Sequence, residues 1–281
     1  MNKWNLIVDV AECHNCNNCF LACKDEHVGN DIPGYSAPQP LHGHKWINIQ
    51  SRERGSWPIV DTTYVPTMCN HCDDAPCVKQ GEGAVEKRAD GIVIINPQKA
   101  KGRKDLVDSC PYGAIWWNEE HDVPQSWTFD AHLLDQGWKE PRCVQSCPTA
   151  ALKSVKVSDA EMKAIIQAEN LVPLRADLNT APRVHYKNLG TFTSLFVAGE
   201  VVAHIDGVEE CLSGATATLD KDGKNLGTIT TDAFGEFKID GLNPDIGKCE
   251  LTISHPQYGA TTIEITLDDQ CIVTDTIQLT N

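Results

Sequence analysis

Residues 13–23 read Cys-His-Asn-Cys-Asn-Asn-Cys-Phe-Leu-Ala-Cys. The four cysteines follow the spacing C-x2-C-x2-C-x3-C, which is typical of cysteines that hold [4Fe-4S] clusters. In such a run the first three thiolates bind one cluster, and the fourth, here Cys23, belongs to another cluster. The fourth thiolate of the first cluster must therefore come from a distant part of the chain.

Other cysteine groups in the chain can supply this missing thiolate. Residues 143–148 read CVQSCP, residues 69–77 read CNHCDDAPC, and residues 110–111 read CP. If the first three cysteines of one run share a cluster with the last cysteine of another, two complete sets result. The two sets are Cys13, Cys16, Cys19 and Cys147, and Cys69, Cys72, Cys77 and Cys110.

Zinc is the alternative metal that thiolates in C-x2-C spacing can bind. The triple run at 13–19 and the Cys-Pro pairs at 110–111 and 147–148 favour iron–sulfur clusters instead.

The second set, unlike the first, has no companion set of cysteines for a paired cluster. Positions 81, 100, 103 and 106, where the ligands of a paired cluster would lie, hold Gly, Ala, Arg and Leu. Their joint absence indicates one lost cluster and supports the pairing rule.

Composition narrows the class of protein. The chain has 281 residues, a net charge of −15 and 13 cysteines, ten of them before residue 150. The acidity argues against a nucleic-acid partner. No apolar run is long enough to span a membrane, and no secretory signal is recognisable, so we expect a cytoplasmic protein. The three remaining cysteines, Cys211, Cys249 and Cys271, are expected to be small buried hydrophobes.

The pattern along the chain predicts an α+β fold. Residues 1–157 are expected to form a ferredoxin-like iron–sulfur domain of two pseudo-repeated cluster modules. Residues 158–194 are expected to be a helix, opened by a capping box at Ser158–Glu161, and a strap or linker. From residue 195 to residue 281 seven alternating apolar runs predict an all-β sandwich. This sandwich resembles transthyretin-like or immunoglobulin-like modules. Residues 52–54 (Arg-Glu-Arg) are interpreted as a solvated face or a partner contact.

Several segments carry a resemblance to a known family. The chain resembles the ferredoxin-like electron-transfer subunits of molybdopterin oxidoreductases along almost its whole length. The segments that carry the resemblance are 13–23, 44–49, 75–77, 90–93, 110–113, 131–135, 182–184 and 234–237.

The resemblance implies a role as well as a fold. It implies an electron-transfer subunit without catalytic residues, held in a heterodimer or higher multiple with a large molybdopterin-containing catalytic subunit. That partner would act on a polyhydroxylated aromatic compound. A structural or docking subunit, with clusters that mainly staple the fold and a β-domain that binds a partner, is the alternative.

The sequence departs from this family at one place. Just before residue 131 the family carries C-x2-C, whereas this chain has Trp127 and Asp130 there. The resemblance thus implies an incomplete third set, Cys23, Cys143 and Asp130. Three outcomes stay open: a [3Fe-4S] cluster, a [4Fe-4S] cluster with Asp130 as a ligand, or no cluster, with Cys23 and Cys143 as buried thiols.

Overall fold

The computed structural model of the chain describes residues 1–205 and 207–280. These residues form two compact units, the first comprising residues 1–51 and 64–189, the second residues 52–63 and the chain from residue 190. In the described residues no helix is both long enough and apolar enough to cross a lipid bilayer. The predicted domain limits of 1–157, 158–194 and 195–281 stay a prediction.

Strands dominate both units. The helices are α1 (Asn18–His27), α2 (Pro76–Gln80), α3 (Asp105–Asp108), α4 (Ala131–Asp135), α5 (Arg142–Gln145), α6 (Asp159–Glu169) and α7 (Gly190–Thr193). The strands are β1 (Lys3–Asp9), β2 (Ile47–Ser56), β3 (Ile59–Met68), β4 (Val85–Lys87), β5 (Val93–Ile95), β6 (Trp116–Asn118), β7 (Val123–Gln125), β8 (Leu152–Val157), β9 (Val184–Lys187), β10 (Leu195–Ile205), β11 (Val208–Cys211), β12 (Thr216–Lys221), β13 (Lys224–Thr230), β14 (Glu236–Leu242), β15 (Gly247–His255), β16 (Gly259–Leu267), β17 (Ile272–Val273) and β18 (Ile277–Leu279).

The first unit is built on a three-stranded sheet in the order β8-β1-β9. Strand β1 is central; it pairs antiparallel with β8 and parallel with β9. The sequence predicted a strap or linker at 171–194, whereas residues 184–187 form a buried strand. A strand of four residues that contains His185 and follows Arg183 has too little apolar alternation to be recognised from sequence.

Helix α6 confirms the capping-box prediction. The Ser158 hydroxyl accepts from the backbone N–H of Glu161, and the Glu161 carboxylate accepts from the N–H of Ser158 at 2.8 Å. Because the two groups satisfy otherwise free backbone donors, the helix begins at Asp159. Its apolar face packs through Met162 on Ile7 of β1.

The second unit contains a five-stranded sheet, in which β10 pairs with β11, β14, β17 and β18, and a four-stranded sheet in the order β13-β12-β15-β16. Alternate residues of both sheets point into one apolar core. The core includes Val197, Val201, Ala217, Leu219, Phe237, Ile239, Leu251 and Ile253. This alternation with a period of two is the feature from which the strands were predicted.

The second unit differs in two respects from what the sequence predicted. Strand β11 was missed because its side chains are all exposed and include Glu209 and Glu210, so no apolar alternation marks it. Cys249 is buried, as expected, and Cys271 is half-buried. The expectation is wrong for Cys211, which is exposed because it lies on the edge strand β11.

The interpretation of Arg54 as a solvated residue is wrong. Its side chain is 1% exposed and donates to both carboxylate oxygens of Asp240 at 3.0 Å. It also donates to Asp61 at 2.8 Å and to the hydroxyl of Ser194 at 3.2 Å. The guanidinium carbon lies 5.3 Å from the ring centre of Phe196. A bidentate bond of this kind is the strong form of an Arg–carboxylate contact.

Replacement of Arg54 by Ala is expected to destabilise the second unit by about 2 kcal/mol, because it leaves two partly buried carboxylates without their partner. Hydrogen exchange of the β10 amides, read by mass spectrometry, should accelerate accordingly. The matched control is Lys248→Ala, which breaks an ion pair with Glu264 in which both side chains are mostly exposed. Equal acceleration in the two variants would contradict the structural role of Arg54.

Candidate iron–sulfur centres

The pairing of β1 with β8 decides where the first cysteine set lies. Val8 is the register partner of Leu152, and the N–H of Asp9 donates to the carbonyl of Ala151 at 2.8 Å. Cys13 follows Val8 by five residues, and Cys147 precedes Leu152 by five residues. Two segments that leave an antiparallel ladder at the same end stay close together. The ladder therefore brings Cys147 to the loop that follows β1.

The thiols of this first set influence one another. Burial, with a smaller contribution from the neighbouring Cys13, Cys147 and Cys16 sulfurs, raises the pKa of the Cys19 thiol to about 12. The pKa of Cys13 is raised by burial and then by Cys147 and Cys16. The structure thus brings together all four residues of the first predicted set.

Backbone contacts hold these two loops together. The Asn18 side chain donates to the carbonyl of Ser146 at 3.3 Å, and the Ser146 hydroxyl donates to the carbonyl of Asn18 at 3.3 Å. Since Asn18 starts α1 and Ser146 precedes Cys147, the reciprocal pair fixes the fourth cysteine beside the first three.

The second predicted set is also brought together. Burial raises the pKa of Cys77 to about 12, with Cys110 and Cys72 adding to the shift. Burial raises the pKa of Cys69 well above its usual value, and Cys77 and Cys110 are again its first charged neighbours. All four thiols are buried or half-buried. Cys110 comes from a segment more than thirty residues after Cys77, so this set too is assembled by tertiary structure.

Two cations hold the loop of the second set in place. The Lys87 ammonium donates to the carbonyls of His71 and Cys72 at 2.6 and 3.1 Å, and lies 2.8 Å from the Asp73 carboxylate. Arg183, whose side chain is 5% exposed, forms an ion pair with Asp73. These contacts, which involve no metal, stabilise the conformation of the loop.

The backbone repeats between the loops. Asn15 and His71, each directly before the second cysteine of a C-x2-C pair, have φ values of 54° and 44°. Gly113 and Ala150, each three residues after a Cys-Pro ligand candidate, have φ values of 63° and 55°. Left-handed residues of this kind are uncommon outside glycine, so their recurrence at equivalent positions indicates two copies of one loop design.

The chemistry of both sets fits iron–sulfur clusters. The described residues contain no three Cys, His, Asp or Glu side chains that converge tightly enough to hold a single metal ion. A cubane needs a wider arrangement, because each thiolate binds a different iron. Buried thiols with raised pKa values need a strong positive charge to become thiolates, and iron supplies that charge on binding.

His71 lies in the loop of the second set. Its Nδ1 accepts from the N–H of Val93 at 3.0 Å, so its proton is on Nε2. Burial lowers the pKa of His71 to about 3, which keeps the ring neutral. Nε2 is buried and has no hydrogen-bond partner in the described part of the chain. The sequence predicted a hydrogen-bonding role for His71 rather than ligation, and a cluster sulfur would be a suitable acceptor.

The place of the lost companion cluster is filled with apolar side chains. Ala100 and Leu106 are fully buried in a core with Val85 and Ile95. A Cβ atom at Gly81 would lie 2.8 Å from two carbon atoms of Val85 and 2.9 Å from the carbonyl oxygen of Cys77. A cysteine at Gly81 therefore has no room, and this site is closed.

The incomplete third set is close together but does not fit a four-thiolate cluster. Cys23 and Cys143 are 2% and 1% exposed. Burial raises the pKa values of both thiols well above the usual value, and Asp130 is the next cause for each. Trp127, where the fourth ligand would lie, has a side chain without a metal-binding atom. Only two thiols are therefore available at this place.

Some residues of these sites had no signal in the sequence. Lys87 and His27 lie outside the cysteine loops, and isolated Lys and His residues carry no pattern. The left-handed conformation of Asn15 could have been suspected, since asparagine tolerates it. For His71 and Phe129 no residue preference points to it.

Known proteins carry the same features. The family described as "4Fe-4S dicluster domain" matches residues 60–157. Over 275 residues the chain is 42% identical to the pyrogallol hydroxytransferase small subunit of Pelobacter acidigallici, in an alignment that covers 97% of each chain. It is 28% identical over 235 residues to the arsenate respiratory reductase iron–sulfur subunit of Shewanella sp. strain ANA-3, covering 66% of this chain and 95% of the relative. It is 30% identical over 164 residues to the thiosulfate reductase electron transfer subunit of Salmonella typhi, covering 58% of this chain and 80% of the relative.

These matches confirm the resemblance expected from the sequence. An identity of 42% over nearly the full length of both chains is far above what a shared fold alone produces. The chain belongs to the iron–sulfur electron-transfer subunits of molybdopterin oxidoreductases, the family that includes the pyrogallol hydroxytransferase small subunit.

Proposed function

We propose that the chain carries two [4Fe-4S] clusters and exchanges electrons with a large molybdopterin-containing subunit that acts on a polyhydroxylated aromatic compound. The clusters are held by Cys13, Cys16, Cys19 and Cys147, and by Cys69, Cys72, Cys77 and Cys110. The observation that carries this proposal is the convergence of each distant cysteine, Cys147 and Cys110, on a loop with three others.

The two sites differ in solvent exposure, and this difference indicates at which site electrons enter or leave the first unit. Residues 14–16 of the first loop are exposed, including Cys16. The second loop is enclosed by β4, β5 and the Lys87 contacts. The first cluster is thus the point at which electrons enter or leave the first unit. In this proposal no residue of the chain reacts with substrate. The clusters, when bound, supply the redox chemistry.

The partner and its substrate follow from the relative that is 42% identical over nearly the whole chain. That relative is a small subunit of a pyrogallol hydroxytransferase, which supports a large catalytic partner in a heterodimer or a higher multiple. Pyrogallol is a polyhydroxylated aromatic, so the same substrate class is proposed here. The proposed electron transfer takes place in the cytoplasm, where thiols stay reduced. None of the thirteen cysteines, which all lie in described residues, forms a disulfide.

The finer fold assignment is part of the same proposal. The first unit is a ferredoxin-like domain with one working cluster in each of its two modules. The second unit is a transthyretin-like or immunoglobulin-like sandwich, supported by its two sheets around one core of alternating residues.

Iron and acid-labile sulfide analysis tests the ligand sets. The anaerobically purified complex should contain about eight irons in this chain, four for each set of four thiolates. Cys147→Ser and Cys110→Ser should each remove one cluster and leave the signal of the other. The matched control is Cys249→Ser, a buried cysteine of the second unit, which should keep all the iron. A colourless, zinc-loaded wild type would refute the proposal.

Redox titration of the intact complex tests the electron-transfer role. With mediators present, the EPR signals of both clusters are expected to appear on reduction and to respond to addition of a polyhydroxylated aromatic substrate. Clusters that stay silent through turnover would favour the alternative of a structural or docking subunit, whose clusters serve only the fold.

Lys87→Gln is expected to lower the midpoint potential of the second cluster, because a nearby positive charge stabilises the more negative reduced state. The Lys87 ammonium is close enough to Cys69 for the two charges to interact, so a shift on the order of tens of millivolts follows from Coulomb's law. The control is Lys99→Gln, whose ion pair with Glu86 is largely exposed. A shift confined to the first cluster, or an equal shift in both variants, would contradict the assignment of the second set.

A further inference from the structure

We propose that the position of a third cluster, bounded by Cys23 and Cys143, is a closed site that the protein's own side chains fill, and that Asp130 is a structural residue there and not an iron ligand. The inference deepens the proposed function and rests on it, because it gives each module a single working cluster.

The carboxylate of Asp130 is already used. Its Oδ1 lies 3.3 Å from Nε2 of His27, and its Oδ2 accepts from the backbone N–H of Arg142 at 2.8 Å. Asp130 is 1% exposed and His27 is 0% exposed. Both carboxylate oxygens therefore already have protein partners in a place that water cannot reach, and turning the carboxylate towards an iron would weaken these contacts.

His27 is itself held in place from its other side. Its Nδ1 lies 3.4 Å from the hydroxyl of Ser36, and its ring centre lies 4.8 Å from that of Trp46. The Asp130 contact is therefore one part of a continuous buried network that links α1, the 36–46 segment and the start of α4. The ring nitrogens of His27 and the carboxylate oxygens of Asp130 all have protein partners, and buried polar contacts of this kind favour one arrangement.

Aromatic rings fill the remaining volume. Trp127 and Phe129 are 0% and 1% exposed, and their rings stack with centres 4.7 Å apart. Both rings contact His71 of the second cysteine loop, with centres 5.4 Å away, and Phe129 also contacts Trp4. Aromatic pairs at these separations contribute beyond their buried area. The stack thus occupies the side of the site from which two cysteines would otherwise point inward.

One backbone feature of this loop also occurs in the two cysteine loops. Phe129 lies directly before position 130, as Asn15 lies before Cys16 and His71 before Cys72. Its φ is 58°, against 54° and 44° at the other two. A left-handed conformation is a genuine outlier for a bulky residue such as Phe, so local preference cannot have produced it. Position 130 differs, because Asp130 is also left-handed, with a φ of 51°, whereas Cys16 and Cys72 are not, so this loop shares only the residue before that position with the two cysteine loops.

The closed site of the other module gives a contrast. There Gly81 has no room for a Cβ atom, and Leu106 belongs to an apolar core. At the third position two thiols, Cys23 and Cys143, are present, and the residue before position 130 is left-handed as in the cysteine loops. Restoring two side chains should therefore be enough to rebuild a cluster here, whereas no such short route exists at Gly81.

The experiment compares iron and sulfide content and EPR spectra of anaerobically purified complexes. The wild type is expected to hold about eight irons in this chain, and Trp127→Cys/Asp130→Cys about twelve, with an additional cluster signal. The matched control, Trp127→Ser/Asp130→Ser, opens the same space without thiols and should stay at about eight. A double-cysteine variant that folds and still holds eight irons would overturn the inference.

Measurements on Asp130→Asn and on the wild type test the inference even if the double-cysteine variant does not fold. Asp130→Asn keeps the size and one acceptor of the side chain, so the iron content should be unchanged while the protein becomes less stable to heat. Loss of about three or four irons in this variant, or about eleven to twelve irons in the wild type, would make Asp130 a ligand and overturn the inference while leaving the proposed function intact. A wild type without iron–sulfur clusters would instead overturn the proposed function itself.

Discussion

The antiparallel ladder between β1 and β8 is the constraint on which the first unit depends. Every residue of β1 from Trp4 to Val8 is buried, and β8 pairs with it from Lys3–Val157 to Val8–Leu152. A slip of one residue would exchange the two buried faces of β1 and so disrupt the packing on both. It would also move Cys147 away from Cys13, so one register sets both the core and the approach of the distant thiol.

The parts of the molecule that could be predicted are those whose chemistry is local. Cysteine spacing can be read because a cluster requires thiolates at fixed short intervals, and the distant partner follows from the shared-ligand rule. Helix α6 could be predicted because Ser158 and Glu161 satisfy backbone groups within one turn. Strands such as β10 and β15 could be predicted because alternate residues face one core.

The parts that could not be predicted depend on side chains far apart in sequence. Arg54 is buried because Asp240, 186 residues later, accepts two of its hydrogen bonds. His27 and Asp130 are separated by 103 residues, and neither residue has a neighbour pattern that indicates burial. Phe129 adopts a conformation that its type disfavours, and only the surrounding fold imposes it.

The long spans that join the proposed ligands also bear on how the protein matures. Between Cys13 and Cys147 lie 133 residues, whereas between Cys69 and Cys110 lie 40. During synthesis the shorter span leaves the ribosome first and has the smaller entropy of closure. In the proposed arrangement the cluster of the second set can therefore be inserted while the chain is still growing, and the cluster of the first set only after β8 has emerged. Iron delivery would then follow an order set by translation, beginning inside the protein and ending at the face where electrons are exchanged.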